Sequence, residues 1–247
     1  MRYFLLFCMY WFVLVGCSSA VDSGTKKAQE IIDKAIAVHG NERFNNLNLA
    51  FSFRDRHYTA QRKDGLFTYT RTFTDSTGRV EDVLTNNSFN RKINGKPVNL
   101  PQEREKAFSQ SVNSVIYFAL LPFGLNDAAV QKKYLGQTKI QGQSYHKIEV
   151  TFAQEGGGTD YEDTYIYWIH PDNFTLDYLA YSFHTDGGGL RFRKSYNARL
   201  IGGIRFQDYI NYEPTTKSIT LINLDKTFAA GQLKELSRIE LKNIRVK

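Results

Sequence analysis

The chain has 247 residues, of which 42% are hydrophobic, 14% aromatic and 23% charged, with a formal net charge of +7. That apolar content can bury enough surface to offset chain entropy, which excludes bulk disorder; 18 scattered Gly and 5 Pro exclude a collagen-like repeat. Only two Cys are present, Cys8 and Cys17, so a disulfide-rich scaffold is excluded as well.

Arg2 makes a short positive start, and residues 3–15 (YFLLFCMYWFVLV) form an apolar run that ends in small residues. This is signal-peptide length. A helix needs about 20 apolar residues to cross the hydrocarbon core, so the run does not read as a spanning segment. It closes on Leu14-Val15-Gly16-Cys17, which resembles the lipobox of bacterial lipoproteins. The resemblance implies that the Cys17 thiol takes a diacylglyceryl group, that the leader is cut between Gly16 and Cys17, and that the freed amine is then acylated. Two or three acyl chains, at roughly 0.8 kcal/mol per buried CH₂, hold a protein on a bilayer without spanning it. A secretory signal that merely contains Cys is the plainer alternative. Residues 18–25 are a small, polar tether. Ser18 directly after the modified Cys implies, by the same resemblance, an outer-membrane location facing the periplasm. The expected organisation is a lipoprotein signal peptide over 1–16, a lipidated tether over 17–25 and one domain over 26–247.

Beyond Cys17 the chain has no further thiol, which removes structural disulfides, thiol catalysis and Cys-ligated zinc from the body. The basic residues are spread along the chain with acidic residues between them, and no recognition motif accompanies them. With an envelope address, nucleic acid is not the expected partner.

Residues 26–39 place Ala28, Ile31, Ile32, Ala35, Ile36 and His39 at helical spacing, and Gly40 stops the helix. The period then changes to two at Leu49, Phe51 and Phe53, and strands are predicted over 57–63 and 66–73 with Asp64-Gly65 as the hairpin turn between them. A strand over 80–85 follows, and Asn94-Gly95 marks the next reversal. Pro101 opens a second helix, with Glu103 and Glu105 near its positive end and Pro122 as its stop. Its end, residues 115–125 (VIYFALLPFGL), is apolar almost all round and reads as a buried helix end or as a lid over a cavity. From Lys139 onward strands dominate: 147–152, 161–169, 177–184, 190–198 and 204–212, then a short helix over 224–230 and a last strand over 238–246. The predicted fold class is α+β: a large, curved antiparallel sheet forming a half-barrel of about ten strands, with helices packed on its concave face.

This order resembles the LolA/LolB-like superfamily of lipoprotein carriers, whose half-barrel wraps a hydrophobic cavity covered by helices, and more locally an uncharacterised family of Gram-negative envelope lipoproteins. The residues that carry the resemblance are 31–53, Leu121-Pro122-Phe123-Gly124-Leu125, and 165–212. It implies a carrier-like fold; no cavity residue transfers one to one.

A half-barrel with aromatic inward positions either fills itself or leaves room for an apolar ligand. The candidates for the inner face are Phe51, Phe53, Phe73, Phe152, Leu179, Tyr181, Phe183, Phe192 and Tyr196. One further constellation stands out. The loops Glu155-Gly156-Gly157-Gly158-Thr159-Asp160 and Asp186-Gly187-Gly188-Gly189 fall on one rim if the strands alternate, which would bring Glu155, Asp160, His184 and Asp186 toward a cation or polar group. Glycine runs of this kind also serve simply as wide turns. No zincin, nucleophile-elbow or P-loop signature is present, so no metal, cofactor or catalytic residue is expected. The leading expectation is a non-enzymatic, lipid-anchored protein that binds a lipid, acyl chain or other apolar ligand. The alternatives are an interaction module with a filled core that docks another envelope protein, and an enzyme or metal-binding protein built on the glycine-rich rim.

Overall fold

The computed structural model describes residues 23–156, 161–184, 187–216 and 218–247. Helix α1, Ser23–His39, buries Ala28, Ile31, Ile32, Ala35 and His39, the stripe that its spacing dictates. It stops at Gly40, where an added Cβ would lie 2.9 Å from the Phe44 ring, so no larger residue fits between the helix and the turn that follows.

A first meander runs through β1 Leu47–Phe53, β2 Arg56–Lys63, β3 Leu66–Asp75, β4 Gly78–Thr85, β5 Phe89–Ile93 and β6 Lys96–Pro97. The hairpin turns expected at Asp64-Gly65 and Asn94-Gly95 are there, with φ of 50° and 80° at the first and 50° and 79° at the second. That is the doubly positive geometry that suits a right-twisted ribbon. Helix α2, Gln102–Leu120, then crosses the concave face. A second meander follows: β7 Val130–Ile140, β8 Gln143–Phe152, β9 Thr164–Ile169, β10 Leu176–Phe183, β11 Gly189–Ile201 and β12 Ile204–Pro214. Helix α3, Leu224–Ala229, leads to β13 Leu233–Ile239 and β14 Leu241–Val246.

All pairings are antiparallel, in two seven-stranded sheets ordered β14-β1-β2-β3-β4-β5-β6 and β13-β12-β11-β10-β9-β8-β7. Only Glu240 separates β13 from β14, so one bent strand passes from the second sheet to the first: Ile239 faces Tyr209, and Leu241 faces Phe53. Asp208, 2% exposed, holds this corner. Its Oδ1 accepts from the Leu241 backbone N–H and from Arg199 Nη2, each at 2.9 Å, and its Oδ2 accepts from Asn197 Nδ2 at 2.7 Å. The expected half-barrel with helices on its concave face is therefore the fold, with fourteen described strands where about ten were expected. The extra strands lie mostly at the edges, β5, β6 and β7, where water-facing and Lys-rich positions mask the alternation.

Two cores fill the concave side. Under α2, Val112, Ile116 and Leu120 pack on Leu49, Phe51, Tyr58, Tyr69 and Phe206. Under α1, Ile31, Ile32 and Ala35 pack on Ile148, Val150, Tyr167 and Leu179. A third core lies on the outer face of the second sheet, where Leu224 and Phe228 of α3 cover Trp168, Tyr178 and Phe192. Of the apolar stretch 115–125, Leu121 and Leu125 are buried and Phe123 stacks on Phe44 at 4.9 Å, while Val115, Phe118 and Ala119 line a cavity.

Candidate functional site

The position of α2 is set by a buried ionic cluster. Arg71 of β3 donates Nε and Nη2 to Asp82 Oδ2 at 2.9 and 2.6 Å, and Arg91 of β5 donates Nε to Asp82 Oδ1 at 2.6 Å. Arg71 Nη1 then reaches Ser111 Oγ of α2 at 2.7 Å, and the Arg91 guanidinium lies 3.5 Å from the centre of the Phe108 ring. Arg71 and Asp82 are almost wholly buried, so the cluster ties the first half of α2 to the sheet by charge-assisted bonds sheltered from water.

Further along α2 the packing is incomplete. A cavity of about 230 Å³ lies between Ser114, Val115, Phe118 and Ala119 of α2 and the floor made by Phe53, Tyr209, Ile239 and Leu241. One part of its wall is polar. Arg193, Asn211 and Ser237 are direct cross-strand neighbours on β11, β12 and β13, and Gln207 stands nearby on the same strand as Asn211. Arg193, Gln207 and Asn211 are 8%, 6% and 7% exposed, yet Arg193 Nε, Gln207 Oε1 and Asn211 Oδ1 have no hydrogen-bond partner. Arg193 is held by Tyr181, whose hydroxyl accepts from Nη2 at 2.9 Å, and its guanidinium sits 4.0 Å from the centre of the Phe118 ring. No ion pair among the described residues includes it. Buried polar groups are ordinarily satisfied, so three unpaired atoms on residues of one wall set this cavity apart as the candidate site.

A second cleft, of about 640 Å³, opens on the other side of α2, where Phe67 and Leu84 of the first sheet face Phe152 and Tyr165 of the second. Ser114 and Phe118 line both spaces, so one turn of α2 separates them. Tyr117, which lines the cleft, holds its hydroxyl 3.2 Å from that of Tyr167. Burial pushes the Tyr117 and Tyr209 hydroxyls up to about 12, so both remain protonated at neutral pH.

The residues singled out from sequence divide into several groups. Phe53 lines the cavity and Phe152 the cleft. Phe51 and Leu179 are fully buried in the two cores, and Tyr181 packs on Phe118 while holding Arg193. Phe183 lies beside Tyr181 at 6.1 Å, and Phe73 lies under the Arg56 guanidinium at 4.5 Å. Phe192 is on the opposite face, a correction to the expected inner position: it pairs with Ala180 while Arg193 pairs with Leu179, so the pleat turns Phe192 outward onto Phe228 at 4.7 Å. Tyr196 has the same parity and bonds Glu240.

At the rim, Glu155 is exposed, and His184 Nδ1 lies 3.3 Å from Asp163 Oδ1, a partner that the loop pattern did not suggest. Asp160 and Asp186 lie outside the described residues, as do Gly16 and Cys17. Among the described residues no group of three or more His, Cys, Asp or Glu is placed to hold a metal ion, and no helix is long and apolar enough to cross a membrane. The polar row was missed because an inward Arg and Asn break the apolar alternation used to find the inner face; the one signal for them is the parity of β11 once Leu179 is placed.

Among solved structures, a LolA superfamily protein of Nitrosomonas europaea is similar at 15% identity and a TM-score of 0.50, over 89% of this chain and 93% of that one. A DUF1329 family protein of Desulfovibrio piger is similar at 12% identity and a TM-score of 0.49, over 90% and 92%. The lipoprotein LppX of Mycobacterium tuberculosis shares 14% identity over 66% and 90%, with a TM-score of 0.29. A search of the curated proteins returns no match. The fold expected from the sequence, that of the LolA superfamily, is the one observed. The model of DUF6503, a family of unknown function, matches residues 2–241, and the chain belongs to that family.

Proposed function

We propose that this protein is a lipid-anchored envelope protein that holds an apolar chain on the concave side of its half-barrel. The observation that carries the reading is the cavity under α2, in which Phe53, Val115, Phe118, Ala119, Ile239 and Leu241 face a polar wall, with Arg54 and Ser114 also lining it. At about 230 Å³ it is smaller than an ordinary small-molecule site of about 300–1,000 Å³, so it takes one end of a ligand, with the remainder lying along α2 toward the cleft beyond Phe118. Likeness of fold to a LolA superfamily protein supports the same reading. The role is binding and not catalysis: an arginine stays charged at any physiological pH and amides do not titrate, so the wall is built to orient a ligand and not to exchange protons with it.

The first described element begins at Ser23, so a chain of residues 18–247 retains every described element. Purified in that form, the protein is expected to take up a fluorescent fatty-acid analogue at one per chain; no uptake, with nothing apolar released on denaturation, sinks the reading. Ser114→Trp tests the place. Ser114 is exposed on α2 and lines both spaces, so an indole there obstructs them with little cost to packing. Uptake is expected to weaken at least about tenfold, as expected where a ligand group loses its place, while the thermal midpoint stays within a few degrees. Unchanged uptake in Ser114→Trp would place the ligand away from α2, whereas no uptake by the natural chain would favour the interaction module with a filled core, since most of the concave face is filled by α1 and α2.

The anchor is part of the proposal. Residues 1–16 act as the leader, Cys17 carries the lipid, and residues 17–25 tether the domain to the outer membrane on its periplasmic side. Cys17→Ser is expected to abolish metabolic labelling with an alkyne-tagged palmitate and to release the protein from the membrane fraction. Retained labelling would place the lipid elsewhere.

A further inference from the structure

We infer that the cavity selects an amphiphile whose head carries an anionic oxygen beside a hydroxyl, with Arg193 as the anion-binding residue. The inference rests on the reading of the cavity as a lipid site and goes on to name the head that the site takes. Three observations carry it. Arg193 is a buried cation that no described carboxylate neutralises, and a buried charge is retained only where something compensates it. Tyr181 and the Phe118 ring already fix its guanidinium beside the cavity that Arg193 lines, and its Nε has no partner, so a planar fork meets an oxyanion with little loss of freedom.

The third observation concerns the neighbouring amides. Gln207 uses Nε2 twice, donating to the Leu176 carbonyl at 2.7 Å and to Tyr209 Oη at 2.8 Å, which leaves Oε1 as an unpaired acceptor on a residue that lines the cavity. A bare anion would be repelled there, whereas a hydroxyl next to the anion can donate to it. Asn211 is adaptable, because its contact to Ser237 Oγ at 3.4 Å can be made by either end of the amide. A phosphate monoester on an acyl glycerol presents this combination, an oxyanion with a neighbouring hydroxyl, on a single chain. The cavity accommodates the head, and the chain leaves past Val115 and Phe118.

Three probes of equal chain length separate the parts: 1-palmitoyl lysophosphatidate with both features, palmitate with the charge alone and 1-palmitoylglycerol with hydroxyls alone. Each is titrated against residues 18–247 below its critical micelle concentration, by displacement of a fluorescent fatty-acid analogue. Lysophosphatidate is expected to bind at least about tenfold more tightly than either single-feature probe, the scale of a hydrogen bond to a charged group. In Arg193→Gln its affinity falls to that of palmitoylglycerol, whose own affinity changes less than about twofold; Arg193→Lys retains part of the anion preference, since it keeps the charge and loses the fork. If Arg193→Gln does not fold, the ranking of probes on the natural protein and the Arg193→Lys variant carry the test. Palmitoylglycerol binding as tightly as lysophosphatidate overturns the inference and leaves the apolar-chain reading standing. Palmitate matching lysophosphatidate overturns the hydroxyl's role. Binding of none of the three, with no uptake of the fluorescent analogue, overturns both readings.

Discussion

Asp82→Asn is expected to cost about 3–5 kcal/mol, the range for breaking a buried ion pair from one side, measured as a fall in the urea midpoint at constant slope. Asp82 is fully buried and accepts from two arginines, one of which is itself 1% exposed. The neutral amide still fills the space but leaves both guanidinium groups without an opposing charge. A domain whose total stability is about 5–15 kcal/mol then loses a large share of it. The loss also has a direction in space. Arg71 bonds Ser111, and Arg91 lies on Phe108, so the first half of α2 is released before its apolar second half. Amide exchange over 102–112 is expected to rise more than over 113–120. Replacing all three charges together, Arg71→Met, Asp82→Leu and Arg91→Met, is expected to cost much less than Asp82→Asn alone, because no orphaned charge remains. A triple variant as unstable as the single one would show that the cluster contributes by packing and not by charge balance.

Stability is expected to fall by about 3 kcal/mol between pH 7 and pH 4 through His39 alone, the linkage value for one imidazole moved from 6.5 to about 4. Burial is the main cause of that depression. At the end of α1 the ring donates Nδ1–H to the Ala35 carbonyl at 2.7 Å and accepts the Leu176 N–H on Nε2 at 3.5 Å, an arrangement that only the neutral form can make. The unfolded chain takes up the proton near pH 6.5 and the folded one only near 4. The stabilisation is therefore complete above 6.5, declines through that window, and is lost below it. His146, also lowered by burial, adds in the same direction. Urea midpoints at pH 7, 5.5 and 4.5 check this. In His39→Gln the slope across the window should flatten; an unchanged slope would assign the acid sensitivity to carboxylates.

What could be read from the sequence depended on whether a signal was local. The stripe of α1 and the Asp64-Gly65 and Asn94-Gly95 turns are fixed by neighbours a few residues apart, and they stand where expected. The β7–β8 hairpin was not seen, since its turn is Gln141-Gly142, which takes the same positive φ values without the usual Asn or Asp. The inner face of the second sheet was misread at Phe192 for a different reason. With α3 covering the outer face, both parities of β9 to β11 carry apolar residues, so hydrophobicity no longer tells inside from outside. For the same reason hydrophobicity gives no sign that Arg193 faces the concave side. Only the cross-strand register, which depends on contacts with distant strands, places it in the cavity wall.

The bent strand formed by β13 and β14 bears on when the cavity forms during synthesis. Residues 47–97 and 130–214 can each pair their own strands as they emerge in order, but backbone pairing between the two sheets waits for residues 233–246. Leu49 of β1 pairs with Val246 far along the chain, and such distant closures are the slow ones. Ser237, Ile239 and Leu241, which complete the cavity, arrive on that same strand. A nascent chain therefore has both wings before it has the cavity, and a product truncated before residue 233 would retain the aromatic concave surface without the strand that joins its two sides.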